Sequence, residues 1–300
     1  MGQLNYNTLR PFAQAKTGFP RLLQPWEEIN GKINGNKFQY QPSDHPIHWK
    51  DGGNLHDYTE DECMYTVNQY GFRGNEFVLN TPTLMTAGCS HTYGIGVRDN
   101  EVWGCKLANS LSMYHLNLGV GGIGCDSVAL LIKQCFEEGL VPNVLCVLWP
   151  SIDRKMLIGD NAKQLDNQVL DFIVNEPKPK IEPFIYQFAA GNPPPEDKQA
   201  EMLFKGHLMQ SKQQRLLEFW TWREMVIGLC KQNNVQLVEA FVEKVAQGFV
   251  IEKCNKNIPR VPNNINEQRL TNWDLGRDNM HFGKHGHDAL SKLFISEIVL

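Results

Sequence analysis

The feature that most constrains the fold is an alternation of short apolar runs with helical segments, which begins at about residue 82. The runs "TLMTAGCS", "MYHLNLGV", "NVLCVLWP" and "VQLVEAFV" have the length and composition of buried strands. Between them, segments such as "DSVALLIKQCFEEGL" space their apolar residues as a helix does. Strands that are almost continuously apolar and alternate with helices indicate a parallel sheet that is covered on both faces.

We therefore predict a three-layer α/β/α sandwich of the flavodoxin-like type, with a parallel sheet, over residues 81–300. A Pro-rich stretch predicts an insertion into this domain at about residues 155–200. Residues 1–80 are rich in Asn, Gln, Gly, Pro and aromatic residues and show weak periodicity, which predicts an irregular N-terminal extension.

Composition argues against several classes of function. The net charge is −4 and no run of five or more like charges occurs, so we expect no nucleic-acid partner. The longest apolar run, Val144 to Trp149, is too short to cross a membrane, and the N-terminus lacks the apolar stretch of a signal peptide. The eight cysteines stand singly, as reduced core cysteines do. We expect a cytoplasmic protein, with a virus particle component as the alternative setting.

Ligands of an open α/β sheet bind at the carboxyl ends of the strands, so the loops that follow the strands are the ones to inspect. The first predicted strand ends in "TAGCSHTYGIG", a glycine-flanked turn that contains Ser90, and Asp278 and His281 precede the last helix. A serine hydroxyl becomes an effective nucleophile when a histidine accepts its proton and a carboxylate orients that histidine. The spacing of Asp278 and His281 allows one short turn to present both side chains beside the serine.

These loops resemble the motif blocks of the SGNH (GDSL-type) hydrolases. The stretch "GCSHTYG" at residues 88–94 is similar to the G-D-S block, Asn117 and Gly122 are similar to the second block, and "DNMH" followed by "GH" is similar to the last. The upstream "NQYGFRG" also resembles a lead-in seen in some members. The blocks span residues 83–300, about three quarters of the chain.

The resemblance implies the SGNH-hydrolase fold and a serine ester hydrolase that needs no cofactor and no metal. It implies that Ser90 is the nucleophile, that His281 is the general base and that Asp278 orients it. The backbone N–H groups of Ser90 and Gly122 would form part of the oxyanion hole. The implied substrate is a small acyl ester, acetyl above all, of a carbohydrate or a similar small molecule.

The third block departs from the family pattern. It normally reads G-x-N-D, and its Asn donates a hydrogen bond to the oxyanion, but the matching stretch "PSID" has Ile152 at that position. Loss of one oxyanion donor lowers the rate by ~10²–10³. Ser151, the residue before Ile152, and Arg154, two residues after it, are the candidates to replace the missing donor.

Four residues are candidate members of the substrate pocket because they lie beside these loops. They are His91, Trp149, Ser151 and Arg154. For His91 the alternative is a histidine exposed on a loop, and for Trp149 it is a side chain that only caps the sheet.

Three other site chemistries compete with the serine hydrolase. The stretch "GVGGIG" matches the dinucleotide pattern G-x-G-x-x-G, although it follows the second strand and no acidic residue closes the next one. The histidines of "HFGKHGH" are a candidate metal cluster, which the intervening glycines disfavour. Cys89 is a candidate nucleophile, although strand alternation directs its side chain away from that of Ser90.

The alternative of a different class is a protein that keeps this fold and acts as a structural or binding component, such as part of a virus particle. Ile152 and the N-terminal extension favour this alternative, and the extension would then present a surface to a protein partner. The intact Ser90, Asp278 and His281 oppose it. We expect no membrane partner in either case.

Overall fold

The structure is a computed structural model, and it describes most of the predicted α/β domain. The described residues are 64–68, 72–79, 81–159, 209–254, 274–278 and 280–299, with Gly206 and the short strands Gly2–Gln3, Lys37–Phe38 and Phe184–Phe188. Most of the predicted N-terminal extension and of the predicted insertion lies outside the described residues. The domain boundary at residue 80 therefore stays a prediction.

The described strands fall into one central sheet and three small antiparallel pairs. In chain order they are β1 (Gly2–Gln3), β2 (Lys37–Phe38), β3 (Tyr65–Thr66), β4 (Val78–Leu79), β5 (Thr83–Gly88), β6 (Tyr114–Gly119), β7 (Val144–Trp149), β8 (Lys155–Gly159), β9 (Phe184–Phe188) and β10 (Gln236–Phe241). The pairs are β1 with β4, β2 with β3, and β8 with β9.

The helices connect the strands of the central sheet or follow β10, its last strand in the chain, as the alternation in the sequence predicts. They are α1 (Ser90–Tyr93), α2 (Trp103–Ser110), α3 (Cys125–Glu137), α4 (Lys212–Gln232), α5 (Lys244–Cys254) and α6 (Lys284–Ile295). A short 3₁₀ turn, Asp99–Glu101, precedes α2.

The central sheet has four parallel strands in the order β10-β7-β5-β6. Every residue of β5 and β7, the two inner strands, is buried. Such strands bury apolar side chains on both faces, which is why their sequences read as continuous apolar runs. The predicted α/β class with a parallel sheet is confirmed.

Helices cover both faces of this sheet and complete the three layers. On one face, α3, α4 and α5 contribute buried side chains such as Cys135, Phe219 and Val250 to a common apolar cluster. On the other face, α2 and α6 meet through Trp103 and Phe294, whose rings stack with centroids 4.5 Å apart. None of the described helices combines the length and apolar character needed to cross a membrane.

A buried arginine joins the segment before β4 to the loop that follows α1. Arg73 is 1% exposed, and its Nη2 donates to the carbonyl oxygen of Val97 at 2.7 Å. Its Nη1 donates to the carbonyl oxygen of Gly94, its Nε donates to Asp99 Oδ1 at 2.7 Å, and its guanidinium lies 4.3 Å from the centre of the Tyr65 ring. This part of the predicted extension is therefore packed into the domain.

We predict that the inner strands dominate the stability of the domain. Leu145, on β7, has no exposed surface, whereas Leu217, on α4, is 58% exposed. Leu145→Ala should lower the free energy of unfolding by about 2–5 kcal/mol, because it removes buried apolar contacts and leaves a cavity. Leu217→Ala is the matched control and should change it by less than about 0.5 kcal/mol. Urea unfolding measures both, and equal effects would contradict this assignment of the core.

Candidate active site

The parallel register brings three loops to one edge of the sheet. Gly88, the last residue of β5, pairs with Gly119 on β6 and with Leu148 on β7. The N–H of Val120 also donates to the carbonyl oxygen of Gly88 at 3.1 Å. The chain segments that leave these three strands therefore begin side by side, as the position of ligand sites in parallel sheets requires.

Ser90 lies at the start of α1, two residues after the end of β5. The residue between them, Cys89, is 1% exposed and its side chain belongs to the apolar core. The structure thus opposes Cys89 as the nucleophile. The N–H of Ser90 lies in the first turn of α1, where backbone donors have no partner within the helix.

Asp278 builds the turn that presents His281. Its Oδ1 accepts hydrogen bonds from the N–H groups of Met280 and His281 at 3.0 and 2.9 Å. A carboxylate that binds backbone N–H groups two and three residues ahead stabilises a tight turn. The N–H of Arg277 donates to the carbonyl oxygen of Gly96 at 2.9 Å, which attaches this turn to the loop that follows α1.

The structure brings the three predicted residues Ser90, His281 and Asp278 together. The Nε2 of His281 lies 2.7 Å from the Oγ of Ser90, and its Nδ1 is hydrogen-bonded to Oδ2 of Asp278. Because an ionised carboxylate can only accept, Nδ1 carries the proton and Nε2 is left to accept a proton from the serine. The geometry is that of a base within reach of a nucleophile and held in the required tautomer.

The charge of Asp278 is stabilised inside the protein. Burial by itself would raise the pKa of this carboxyl, but the charge of His281 and the hydrogen bonds from His281 and Met280 lower the pKa below its usual value. Asp278 is therefore ionised at neutral pH. An ionised carboxylate at this position favours the imidazolium that forms when His281 accepts a proton.

His91 is buried beside the catalytic histidine candidate, so the expectation of an exposed loop histidine was wrong. It is 7% exposed, its ring stacks on that of Phe282 at 4.0 Å, and it meets the ring of His281 edge-on at 4.9 Å. Burial, followed by the charges of His281 and Arg154, lowers the pKa of His91 well below its usual value. A neutral His91 adds no positive charge next to His281.

Trp149 does not line an open pocket, so that candidate role is not supported. It has no exposed surface, its ring meets that of Phe219 edge-on, and its Nε1 donates to Glu239 Oε1 at 2.8 Å. Arg223 Nη2 donates to the other oxygen of Glu239 at 2.7 Å. The alternative, a side chain that closes the end of the sheet, describes Trp149 better.

Glu243 holds the loop that follows β7, and sequence reasoning missed it. Its Oε2 accepts hydrogen bonds from Ser151 Oγ at 3.0 Å and from the N–H of Ile152 at 2.8 Å. The side chain of Ile152 is 6% exposed and belongs to the apolar core. Glu243 comes two residues after the end of β10, so its place at the carboxyl edge of the sheet was the available signal.

The glycines of the loop that follows β6, which match the dinucleotide pattern G-x-G-x-x-G, have a structural explanation. A Cβ on Gly119 would lie 2.2 Å from the backbone nitrogen of Tyr93, and one on Gly124 would lie 2.4 Å from the carbonyl oxygen of Arg154. Close approach of the chain to itself thus accounts for both glycines without a bound phosphate. Gly122, the predicted oxyanion residue, has a left-handed backbone with φ 79°.

The histidines of the candidate metal cluster have different surroundings. His281 contacts Ser90, while His287 is fully buried and its Nδ1 accepts a hydrogen bond from the N–H of Trp103 at 3.1 Å. The side chain of His285 is 73% exposed. Within the ranges that the structure describes, no group of three or more His, Cys, Asp and Glu residues is arranged to hold a metal ion.

The known proteins that are similar to this chain are solved structures. No family model and no curated protein matches the chain. Among solved structures, it is similar to a protein described as lipolytic and of the G-D-S-L family from Desulfitobacterium hafniense, with 12% identity and a TM-score of 0.37 over 73% of this chain and 100% of that chain. It is also similar to an acetyl xylan esterase from the rumen bacterium Butyrivibrio proteoclasticus, with 14% identity and a TM-score of 0.39 over 75% of this chain and 66% of that chain.

We predict that Asp278 stabilises the protein in a pH-dependent way. A lowered pKa in the folded state means that the ionised carboxylate adds stability above its unfolded pKa of about 3.9, and that this stability is lost as the pH falls through the folded value. Asp278→Asn should therefore lower the free energy of unfolding by about 1–3 kcal/mol at pH 7. The difference from wild type should shrink as the pH falls towards 3.

Urea unfolding between pH 7 and about pH 3 tests this prediction. Asp288→Asn is the matched control, because Asp288 is half-exposed and forms a surface ion pair with Lys106. Its effect should stay below about 1 kcal/mol. A difference between wild type and Asp278→Asn that does not depend on pH would contradict the lowered pKa.

Proposed function

We propose that the protein is a serine ester hydrolase of the SGNH type that forms an acyl-enzyme on Ser90. The observation that carries the proposal is the 2.7 Å separation of Ser90 Oγ from His281 Nε2, with Nδ1 of the same ring bound to Asp278. Three side chains from two distant parts of the chain meet in the order serine, histidine, carboxylate, which is the order that general-base activation of a serine requires.

In the proposed reaction, Ser90 Oγ attacks the ester carbonyl carbon while its proton moves to His281 Nε2. The carbonyl π electrons move onto the oxygen, and the oxyanion is bound by backbone donors that include Ser90 and Gly122. The tetrahedral intermediate then collapses, the C–O bond to the alcohol breaks, and the alcohol takes the proton from His281. Water repeats these steps on the acyl-enzyme and releases the acid.

The exposure of the reacting groups favours a small acyl group. Ser90 is 5% exposed and the side chain of His281 is 15% exposed, so little of either reacting group is open to a bulky acyl chain. We propose an acetyl or similarly small acyl ester. The resemblance of the motif blocks adds a carbohydrate, or a similar polar alcohol, as the other half of the substrate.

The second candidate function is a catalytically weak or inactive protein of the same fold that acts as a structural or binding component. The burial of Ile152 in the core favours it, because the family's side-chain donor to the oxyanion is missing at this position. The two candidates differ in one respect that can be measured, which is whether Ser90 reacts.

We predict that the protein hydrolyses p-nitrophenyl acetate and that Ser90→Ala and His281→Ala each lower kcat by about 10³-fold or more. A fluorophosphonate probe should label wild type at Ser90, because the base that activates the serine for esters also activates it for the probe. Steady-state kinetics and mass spectrometry of the labelled peptide provide the two measurements.

Two exposed residues of the same types provide matched controls. Ser110 is exposed at the end of α2, and the side chain of His285 is 73% exposed, so Ser110→Ala and His285→Ala should keep wild-type turnover and labelling. A wild-type protein as inert as the Ser90 variant, with no label on Ser90, would reject the hydrolase and leave the binding protein.

A further inference from the structure

The loop that follows β7 holds two polar residues near Ile152, Ser151 and Arg154, that could supply the donor missing from Ile152. Ser151 is already engaged, since its Oγ donates to Glu243 Oε2 at 3.0 Å and accepts from the N–H of Asp153 at 3.2 Å. Ile152 has its N–H bound to Glu243 at 2.8 Å and its side chain in the core. Neither residue is available to bind an oxyanion without breaking contacts that hold the loop.

Arg154 differs from its charged neighbours in having no carboxylate partner within the part of the chain that the structure describes. Asp153 pairs with Arg215 at 3.0 Å and Lys155 pairs with Glu218 at 2.6 Å. The Nη1 atom of Arg154 is buried and has no hydrogen-bond partner among the described residues. A buried guanidinium nitrogen without an acceptor is costly, so an unpaired one is a candidate to bind an anionic group of a ligand.

The backbone of Arg154 lies beside the loop that contains Gly122. A Cβ placed on Gly124 would lie 2.4 Å from the carbonyl oxygen of Arg154, so the two chain segments are in close contact. The positive charge of Arg154 also acts on His91, the neighbour of Ser90, where it adds to burial and to the charge of His281 in lowering the pKa. The backbone of Arg154 thus lies beside the loop that contains Gly122, and its charge acts on the residue next to Ser90.

We propose that Arg154 is a catalytic residue that donates to the oxyanion in place of the family's third-block Asn. This inference rests on the proposed function. When Ser90 Oγ bonds to the carbonyl carbon, the π electron pair moves to oxygen, and the N–H of Arg154 Nη1 donates to that negative oxygen. As the alcohol leaves, the carbonyl forms again and the charge on oxygen disappears.

An arginine would bind the oxyanion more strongly than an asparagine would. Its hydrogen bond to an oxyanion is assisted by charge and is roughly twice as strong as one between neutral groups. The carbonyl of the free ester carries no full charge, so the gain is realised in the transition state and appears in kcat. Lysine keeps the charge but lacks the planar pair of donors, so it should replace arginine only in part.

The test compares Arg154→Ala, Arg154→Gln and Arg154→Lys in the hydrolysis of p-nitrophenyl acetate, a neutral ester. Arg154→Ala should lower kcat by about 10²–10³-fold with a much smaller change in KM. Arg154→Lys should lose less than Arg154→Ala. The two longer substitutions keep an aliphatic stem, so they stay informative where the alanine variant folds poorly, which thermal unfolding measures.

A second measurement uses phenylboronic acid, which bonds to a serine oxygen and forms a tetrahedral anion. Its inhibition constant should rise by at least about tenfold in Arg154→Ala, because the variant lacks the cation that binds this anion. Lys155→Ala is the matched control, since Lys155 is the adjacent cation and already pairs with Glu218. Its kcat and its inhibition constant should equal those of wild type.

The outcomes separate the inference from the function on which it rests. An inert wild type that carries no Ser90 label overturns both. An active wild type whose Arg154→Ala variant keeps kcat and its boronate affinity overturns the oxyanion role alone. A variant that is impaired in KM only for an ester bearing a carboxylate, and normal for p-nitrophenyl acetate, also overturns it and assigns Arg154 to recognition of an anionic substrate.

Discussion

The parallel pairing of β5 between β6 and β7 is the constraint on which the rest of the structure depends. Its register places Gly88 beside Gly119 and Leu148, so the segments that leave these strands share one edge of the sheet. Because helices cover both faces, that edge is where polar side chains can gather without entering the core. Ser90 and Glu243 lie on segments that leave the sheet at this edge, and His281 reaches Ser90 there.

The candidate site also requires a carboxylate that stays ionised although it is buried. Asp278 meets this requirement by using both oxygens: Oδ1 accepts two backbone N–H groups of its own turn, and Oδ2 binds His281. These bonds outweigh the effect of burial and keep its pKa low. The turn that positions the base therefore also stabilises the carboxylate that orients it. His91, which is neutral and stacked on Phe282, meets the ring of His281 edge-on without adding charge.

The loops around Ser90 are held by polar side chains from distant parts of the chain. Arg73 binds the carbonyl oxygens of the loop that follows α1, and Glu243 binds the loop that follows β7. Buried or half-buried charges of this kind contribute little to net stability, but each favours the backbone arrangement in which it is paired. A site in which a nucleophile and a base must stay within 2.7 Å needs such rigidity.

The sequence by itself determined the alternation of strands and helices, and with it the edge of the sheet where Ser90, Asp278 and His281 would meet. Apolar periodicity and turn residues are local signals, so a single chain reveals them. Only the tertiary structure decided that Trp149 and Ile152 face the core, that His91 is buried and that Glu243 engages Ser151. Those outcomes depend on which neighbour fills each space and on which donor reaches each acceptor. The packing neighbours and the hydrogen-bond partners of these side chains come from residues far apart in the chain, so no local sequence pattern predicts them.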